Sequence, residues 1–276
     1  MEYILITNDI DIAKYAQDCG VQRIMVDLEI KGKVERQGHL NTLISKHSLL
    51  DVEKIRKALI NSKLQVRVNP IDEDSGKEIQ TINNLGADII MLPMFTTVHE
   101  VETFINLVNK KAKSSLLLET PQAMARVNEI LKIKGIDEVH IGLNDLHLGL
   151  KLDFMFELLS GGLVEYLSKA ICYHNIKFGF GGIARLKNGS GAIDPSLILS
   201  EHFRLKSEVV ILSRDFFGST TNYKDFRNKI DLKEEIQALN DSYCALSHLS
   251  SLELEKNREK LILLIKKVVD QKRNNL

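Results

Sequence analysis

Residues 88–120 read DIIMLPMFTTVHEVETFINLVNKKAKSSLLLET, and the fold turns on how this stretch is read. It opens on an almost unbroken apolar run, DIIMLP at 88–93. The next segment, VHEVETFINLVNKK at 98–111, spaces Val101, Phe104, Ile105 and Val108 by threes and fours, which lines one side of a helix. A second apolar run, SLLLET at 115–120, closes it. Runs without polar alternation suit strands covered on both faces, as parallel strands are. Strand, helix, strand in this order predicts a parallel βαβ unit.

The same pattern extends in both directions. Further strand-like runs are YILIT at 3–7, IMVDLE at 24–29, LQVRVN at 64–69, VHIGLN at 139–144, KFGFGG at 177–182 and VVILSR at 209–214. With the two above they number eight. Between them, Val52, Ile55, Leu59 and Ile60 are expected on one helix face, Pro121 suits a first helical position, and Asp194-Pro195 reads as an N-cap followed by Pro. Eight strand–helix repeats predict a (β/α)8 TIM barrel with a helical C-terminal extension. An open doubly wound sheet is the alternative. It would usually carry a GxGxxG turn after an early strand, and the sequence has none. We expect the barrel over 1–220. Residues 221–276 then form helices that complete the barrel or make an oligomer interface. There Leu252, Leu254, Leu261, Leu264, Ile265 and Val268 form an apolar stripe that must be covered.

At 276 residues the chain is long enough to bury a large core without disulfides. Lys+Arg and Asp+Glu both number 37, so bulk charge gives no support for nucleic-acid binding. Cys19, Cys172 and Cys244 are odd in number and form no CxxC pair, which points to a reducing compartment and away from zinc. No signal peptide is read at the N-terminus, and no window approaches the ~20 apolar residues of a membrane span. A cytoplasmic location is expected.

Barrel enzymes gather their functional groups at the C-terminal ends of the strands. Polar residues fall there repeatedly in this sequence: Asp27 and Glu29, Arg67 and Asn69, Glu119-Thr120, Asn144-Asp145, and Ser213-Arg214. Glu119 and Asp145 end successive runs. Neighbouring strands lie ~4.8 Å apart, so the two carboxylates could share one hard cation, Mg²⁺ or Mn²⁺, with waters and substrate oxygens completing the shell. Each acid could instead pair with a basic neighbour. Arg67 offers a fork suited to a carboxylate or an enolate. The loop GGIARLKNGSG at 181–191, basic through Arg185 and Lys187, could bind phosphate or be an ordinary loop.

At these residues the chain resembles the HpcH/HpaI aldolase and citrate lyase β-subunit family, a group of phosphoenolpyruvate/pyruvate-type TIM barrels. The matching stretches are VDLE at 26–29, VRVNP at 66–70, GADIIMLP at 86–93, LLLETP at 116–121 and IGLNDL at 141–146. They run in order over roughly residues 3–215, and the separation of Glu119 from Asp145 matches the family's metal pair. The resemblance implies a metal-dependent carbon–carbon lyase of aldolase type. A 2-oxo acid such as pyruvate or oxaloacetate would be held on Mg²⁺ or Mn²⁺ by Glu119 and Asp145. Arg67 would stabilise the enolate, a role consistent with Lewis-acid catalysis beside a fixed cation.

The sequence also departs from the family. The aldolase branch carries His, and the citrate lyase branch Asp, where this chain has Ile30, so the general base is not identified. The family's Lys after the fourth strand is replaced by Met94. The loop IKGKVERQGHLNTLISKHS at 30–48 supplies candidates for substrate contact, Arg36 and Gln37 first, with Glu29 and Asn69 beside them. His39 and His47 are read as surface histidines rather than bases. Two alternatives stand beside the aldolase reading: an acyl-CoA lyase of the citrate lyase type, and a metal-binding barrel without turnover. The family's habit of exchanging or docking terminal helices also implies a homo-oligomer.

Overall fold

A computed structural model describes residues 1–31, 47–187, 192–217, 220 and 222–274. Eight parallel strands follow one another in chain order around a closed barrel: β1 (Glu2–Ile6), β2 (Arg23–Asp27), β3 (Lys63–Arg67), β4 (Ile89–Leu92), β5 (Lys113–Leu118), β6 (Glu138–Ile141), β7 (Lys177–Ile183) and β8 (Val209–Leu212). All eight predicted strands are present, and the open sheet is excluded. Most strands stop two residues or so before the end of their apolar run. Glu29, Asn69 and Glu119 therefore sit just past a strand rather than in it, which frees their side chains from the sheet. The chain divides into two compact units, Ile4–Val139 and Met1–Tyr3 with His140–Leu276.

In the first unit the register is regular. Met25 pairs with Gln65, and Asp27 with Arg67; Gln65 in turn pairs with Ile89, and Arg67 with Met91. Every residue of RIMVD in β2 and IIML in β4 is buried, as two-sided cover requires. Where the strands begin, a polar cluster replaces apolar packing. Arg23 Nη1 donates to Glu138 Oε1 at 2.8 Å and to Gln65 Oε1 at 3.3 Å, and Ser115 Oγ donates to the same Glu138 oxygen at 2.9 Å. Side chains from β2, β3, β5 and β6 thus bond one another across the strands. The helices start on side-chain caps. Ser48 with Asp51 and Thr97 with Glu100 form capping boxes for Leu49–Ala58 and Val98–Val108. Val52, Ile55 and Leu59 face inward as expected, but Ile60 is 84% exposed. Its helix has already ended at Ala58, so the helical period no longer governs where Ile60 points.

In the second unit β7 meets β8 with a register shift between Gly179 and Gly182. Gly181 there has φ +48, and a Cβ on Gly179 would lie 2.5 Å from the Val209 carbonyl oxygen. The GFGG sequence is thus a bulge that only glycine fits. The expected cap at Asp194 is present, its carboxylate accepting from Ser196 N at 2.9 Å ahead of helix Pro195–Arg204. The tail forms helices Tyr223–Lys229, Leu232–Leu246 and Ser251–Asn274. The last packs on Pro195–Arg204 and Glu157–Ser160 of its own chain. Its inner line is Leu261, Ile265 and Val269, one residue off the expected Val268 at its far end. Leu252 and Leu263 stand exposed on the opposite side. No helix among the described residues is long and apolar enough to cross a membrane.

Candidate active site

The acids and the arginine at the strand ends of the first unit form one connected group. Arg67, last in β3, donates from Nε to Asp27 Oδ1 at 2.8 Å and from Nη2 to Asp27 Oδ2 at 2.7 Å. This is the two-pronged geometry that guanidinium and carboxylate planes favour. Glu29 Oε2 lies 3.5 Å from the same Nη2. Burial works against the Arg67 charge, but the fields of Asp27, Glu29 and Glu119 outweigh it and hold the guanidinium protonated well above its usual range. Three carboxyl groups therefore lie around one guanidinium in a buried setting. With Asp27 on Nε and Nη2, the Nη1 edge is the part of the fork suited to an incoming oxygen.

Two backbone features shape this end of the strands. Glu119 Oε1 accepts from Met94 N at 3.2 Å, and Met94 holds φ +54, a left-handed conformation unusual for a residue with a side chain. That conformation turns the Met94 amide toward the carboxylate, where the family resemblance expected a lysine. Asn69 organises the loop after β2. Its Oδ1 accepts from Ile30 N at 3.0 Å and Lys31 N at 3.1 Å, while Nδ2 donates to Glu78 Oε1 at 2.8 Å. Burial pushes the Glu78 carboxyl up, and its hydrogen bonds from Asn69 act the other way. Ile30 itself is half exposed.

Other expected site residues are distributed as follows. Asp145 belongs to the second unit, in the first turn of helix Leu143–Gly149, and is half buried. Arg36, Gln37 and His39 lie outside the described residues. Arg185 is bonded to Asp215 through its backbone N at 3.0 Å and its Nε at 3.3 Å, and Lys187 pairs with Glu234. Lys31 pairs with Asp72 and Asp74. Among the described residues no group of three or more His, Cys, Asp or Glu is arranged to hold a metal ion. An arrangement of two acids completed by water and substrate would not need one.

Two residues carry more than the sequence reading gave them. Asp27 was noted only as a polar strand end, yet it fixes Arg67. The register pairing Asp27 with Arg67 would have signalled this, had the strand alignment been known. His47, read as a surface histidine, is half buried, and its Nδ1 accepts from Asp27 N at 2.9 Å. No sequence spacing announces that contact, because the chain returns to Asp27 only after a twenty-residue excursion.

A family model described as HpcH/HpaI aldolase/citrate lyase matches residues 5–155, which is 151 of 276 residues and more than half the chain. The chain belongs to the HpcH/HpaI aldolase/citrate lyase family. The matched span contains Asp27, Glu29, Arg67, Glu119 and Asp145. Membership supports a lyase-type function on a small molecule. Solved structures with the same fold include an HpcH/HpaI aldolase from Desulfitobacterium hafniense DCB-2, 12% identical with a TM-score of 0.60 over 91% of this chain and 94% of that one. An aldolase/citrate lyase family protein from Burkholderia cenocepacia J2315 is also 12% identical, with a TM-score of 0.60 over 87% and 93%. Citrate synthase SbnG is 13% identical, with a TM-score of 0.59 over 87% and 93%. At these identities the likeness is one of fold. No curated protein matches the chain.

Proposed function

We propose that this member of the HpcH/HpaI family is a divalent-metal-dependent carbon–carbon lyase of aldolase type acting on a 2-oxo acid, pyruvate- or oxaloacetate-like. Glu119 and Asp145 would hold Mg²⁺ or Mn²⁺. The observation that carries the reading is the placement of Asp27, Glu29 and Glu119 around Arg67. A guanidinium kept protonated among strand-end carboxyl groups suits a site that takes up an anionic 2-oxo acid, with Glu119 placed beside it to help hold a cation. When bound, the cation would supply Lewis-acid polarisation of the substrate oxo group. Arg67 would meet the negative charge that develops on that oxygen as the carbon–carbon bond breaks and its electron pair moves into the enolate. Asp27 keeps the guanidinium in place, so its orientation costs nothing at the moment of reaction. Glu29 and Asn69 would border the substrate, Asn69 by fixing the backbone of the loop at Ile30 and Lys31. Arg36 and Gln37, on the same loop, would contact its carboxylate or its leaving portion.

The acyl-CoA alternative is less well supported. Coenzyme A needs cations for its phosphates, and the described ones on the two basic loops, Lys31, Arg185 and Lys187, are each engaged by carboxylates. A barrel that binds metal without turnover is favoured by one feature, Ile30 in place of the family's base. We propose in addition that the chain is a homo-oligomer, with the exposed face of Ser251–Asn274 around Leu252 and Leu263 contributing to the interface; light scattering at micromolar concentration tests this, and a monomer would refute it. The metal assignment is tested by calorimetric titration of Mg²⁺ and Mn²⁺ into the full chain and into Glu119→Ala and Asp145→Ala. Binding should be lost in both variants while circular dichroism stays unchanged. Unchanged affinity in either variant would remove that residue from the metal site.

A further inference from the structure

We infer that Glu78 is a positioning residue: it orients the Asn69 side-chain amide so that this amide clasps the turn carrying Glu29 against Arg67. The inference rests on the proposed function above and adds a residue that none of the matching family stretches contains.

The backbone amides that follow β2 each have an acceptor. Leu28 N donates to Arg67 O at 2.9 Å, and Glu29 N to Asp27 Oδ1 at 3.2 Å. Ile30 N and Lys31 N both donate to Asn69 Oδ1, at 3.0 and 3.1 Å. The turn from 28 to 31 is therefore pinned at one end by Arg67 and at the other by Asn69, which stands just past β3. Glu29 lies between the pins, its Oε2 3.5 Å from Arg67 Nη2. Lys31 adds a side-chain anchor to Asp72 and Asp74.

Asn69 can hold this turn in one orientation of its amide. A carboxamide accepts through its oxygen and donates through its NH2. The Ile30 and Lys31 amides can only donate, so the oxygen must face them. The NH2 then points to Glu78. Nδ2 donates to Glu78 Oε1 at 2.8 Å, and the Asn69 backbone N donates to Glu78 Oε2 at 3.3 Å. A flipped amide would set oxygen against carboxylate and NH2 against two N–H groups, so Glu78 decides which way Asn69 faces. Pro70 holds Asn69 in an extended backbone, and Glu78 stands in the first turn of helix Ser75–Asn84, whose positive end favours a carboxylate. Among the charges around Glu78, Lys31 supports its ionised form and Asp72 opposes it. Glu78 thus reaches the site through Asn69 and the turn, without touching substrate. Misplacing a group that borders the reacting centre costs turnover more than affinity.

The test compares the full native chain with Glu78→Gln, Asn69→Asp and the double variant, circular dichroism checking the fold of each. Amide hydrogen exchange is read on the metal-free chain, and pyruvate release from oxaloacetate with Mg²⁺. Glu78→Gln presents an NH2 to Asn69, so the Asn69 amide either flips or faces a donor. Asn69→Asp sets two carboxylates together. Each single change should speed exchange at Ile30 and Lys31 by ~10-fold and lower kcat by ~10-fold, with KM within about threefold of the native value. In the double variant the new carboxamide donates to the new carboxylate, and every bond of the clasp can form again. Exchange and kcat should then both return to within roughly threefold of the native chain. Unchanged exchange at Ile30 and Lys31 in the single variants overturns the inference. So does a kcat that holds while exchange rises, or a double variant no better than the singles; in each case the proposed function stands without Glu78. A native chain that releases no pyruvate rejects the proposed function and this inference together.

Discussion

Two arginines on neighbouring strands show how position separates structure from chemistry. Arg23 opens β2 and Arg67 closes β3, and both are bonded to carboxylates. Arg23 is 2% exposed and donates to Glu138 and Gln65 where the strands begin. Arg23→Met should destabilise the fold by roughly 3 kcal/mol in urea unfolding, since it strands Glu138 in a dry site. The activity of the fraction that folds should be unchanged. Arg67→Lys should behave the opposite way. It keeps the charge, loses the fork, and should slow turnover by ~10²-fold, about 2.7 kcal/mol, with a smaller effect on stability. Equal rates for the lysine variant and the native chain would move Arg67 out of the site. The sequence made Arg67 legible, because it lies in an apolar run where charge is out of place and within a family motif. It did not mark Arg23 as different from a surface residue, because a buried pair between residues 23 and 138 depends on barrel closure, which no local pattern encodes. Asp27 and His47 were hidden for the same reason: each matters through a partner distant in sequence.

At the scale of elements, period and caps could be read directly. All eight strands lie where continuous apolar runs predicted them, and Asp194 starts its helix as the sequence led us to expect, while the caps at Thr97 and Ser48 emerge only in the structure. The errors are at the ends. Polar residues such as Glu29 and Asn69 follow apolar runs without a break and so read as strand, although β2 ends at Asp27 and β3 at Arg67. Ile60 was assigned inward by helical spacing in a place where the helix had already finished. The capping boxes provide a clean test of local contributions, because Thr97 is exposed and far in sequence from the acids of the site. Thr97→Ala should cost ~1 kcal/mol in chemical denaturation and leave metal binding intact. A loss below a few tenths would mean that Val98–Val108 is held by packing alone.

For the molecule as a whole, the C-terminal helices are the part the sequence described least completely. Their apolar stripe was visible, but a stripe does not say what covers it. In the structure Leu261, Ile265 and Val269 are covered by their own chain, and charged anchors reinforce the packing. Arg258 lies 3.7 Å from Glu165, which also binds Arg204 at 3.0 Å and Lys169 at 2.7 Å. The hydrogen bond from Lys169, followed by the contact with Arg204, brings the Glu165 carboxyl down to about 2. A folded-state pKa below the unfolded value of ~4.3 gives stability that is present above that value. It is lost as pH falls toward 2. The difference in urea midpoint between the native chain and Glu165→Gln should therefore be largest above pH 5 and shrink steadily between pH 4 and pH 2. A difference independent of pH would show that the carboxylate charge contributes nothing to holding the tail.

The central claim is that the acids and Arg67 at the ends of the barrel strands perform metal-dependent carbon–carbon cleavage on a 2-oxo acid. Its most direct measurement is the release of pyruvate from oxaloacetate, in which the bond to the departing carboxylate breaks and the resulting enolate is protonated to pyruvate, followed with Mg²⁺ or Mn²⁺, with a chelator, and with Glu119→Ala. The account predicts release that requires the metal, disappears with the chelator and falls to the uncatalysed rate in Glu119→Ala. Release at the same rate in the chelated enzyme or in Glu119→Ala, or none above background with either metal, would contradict it.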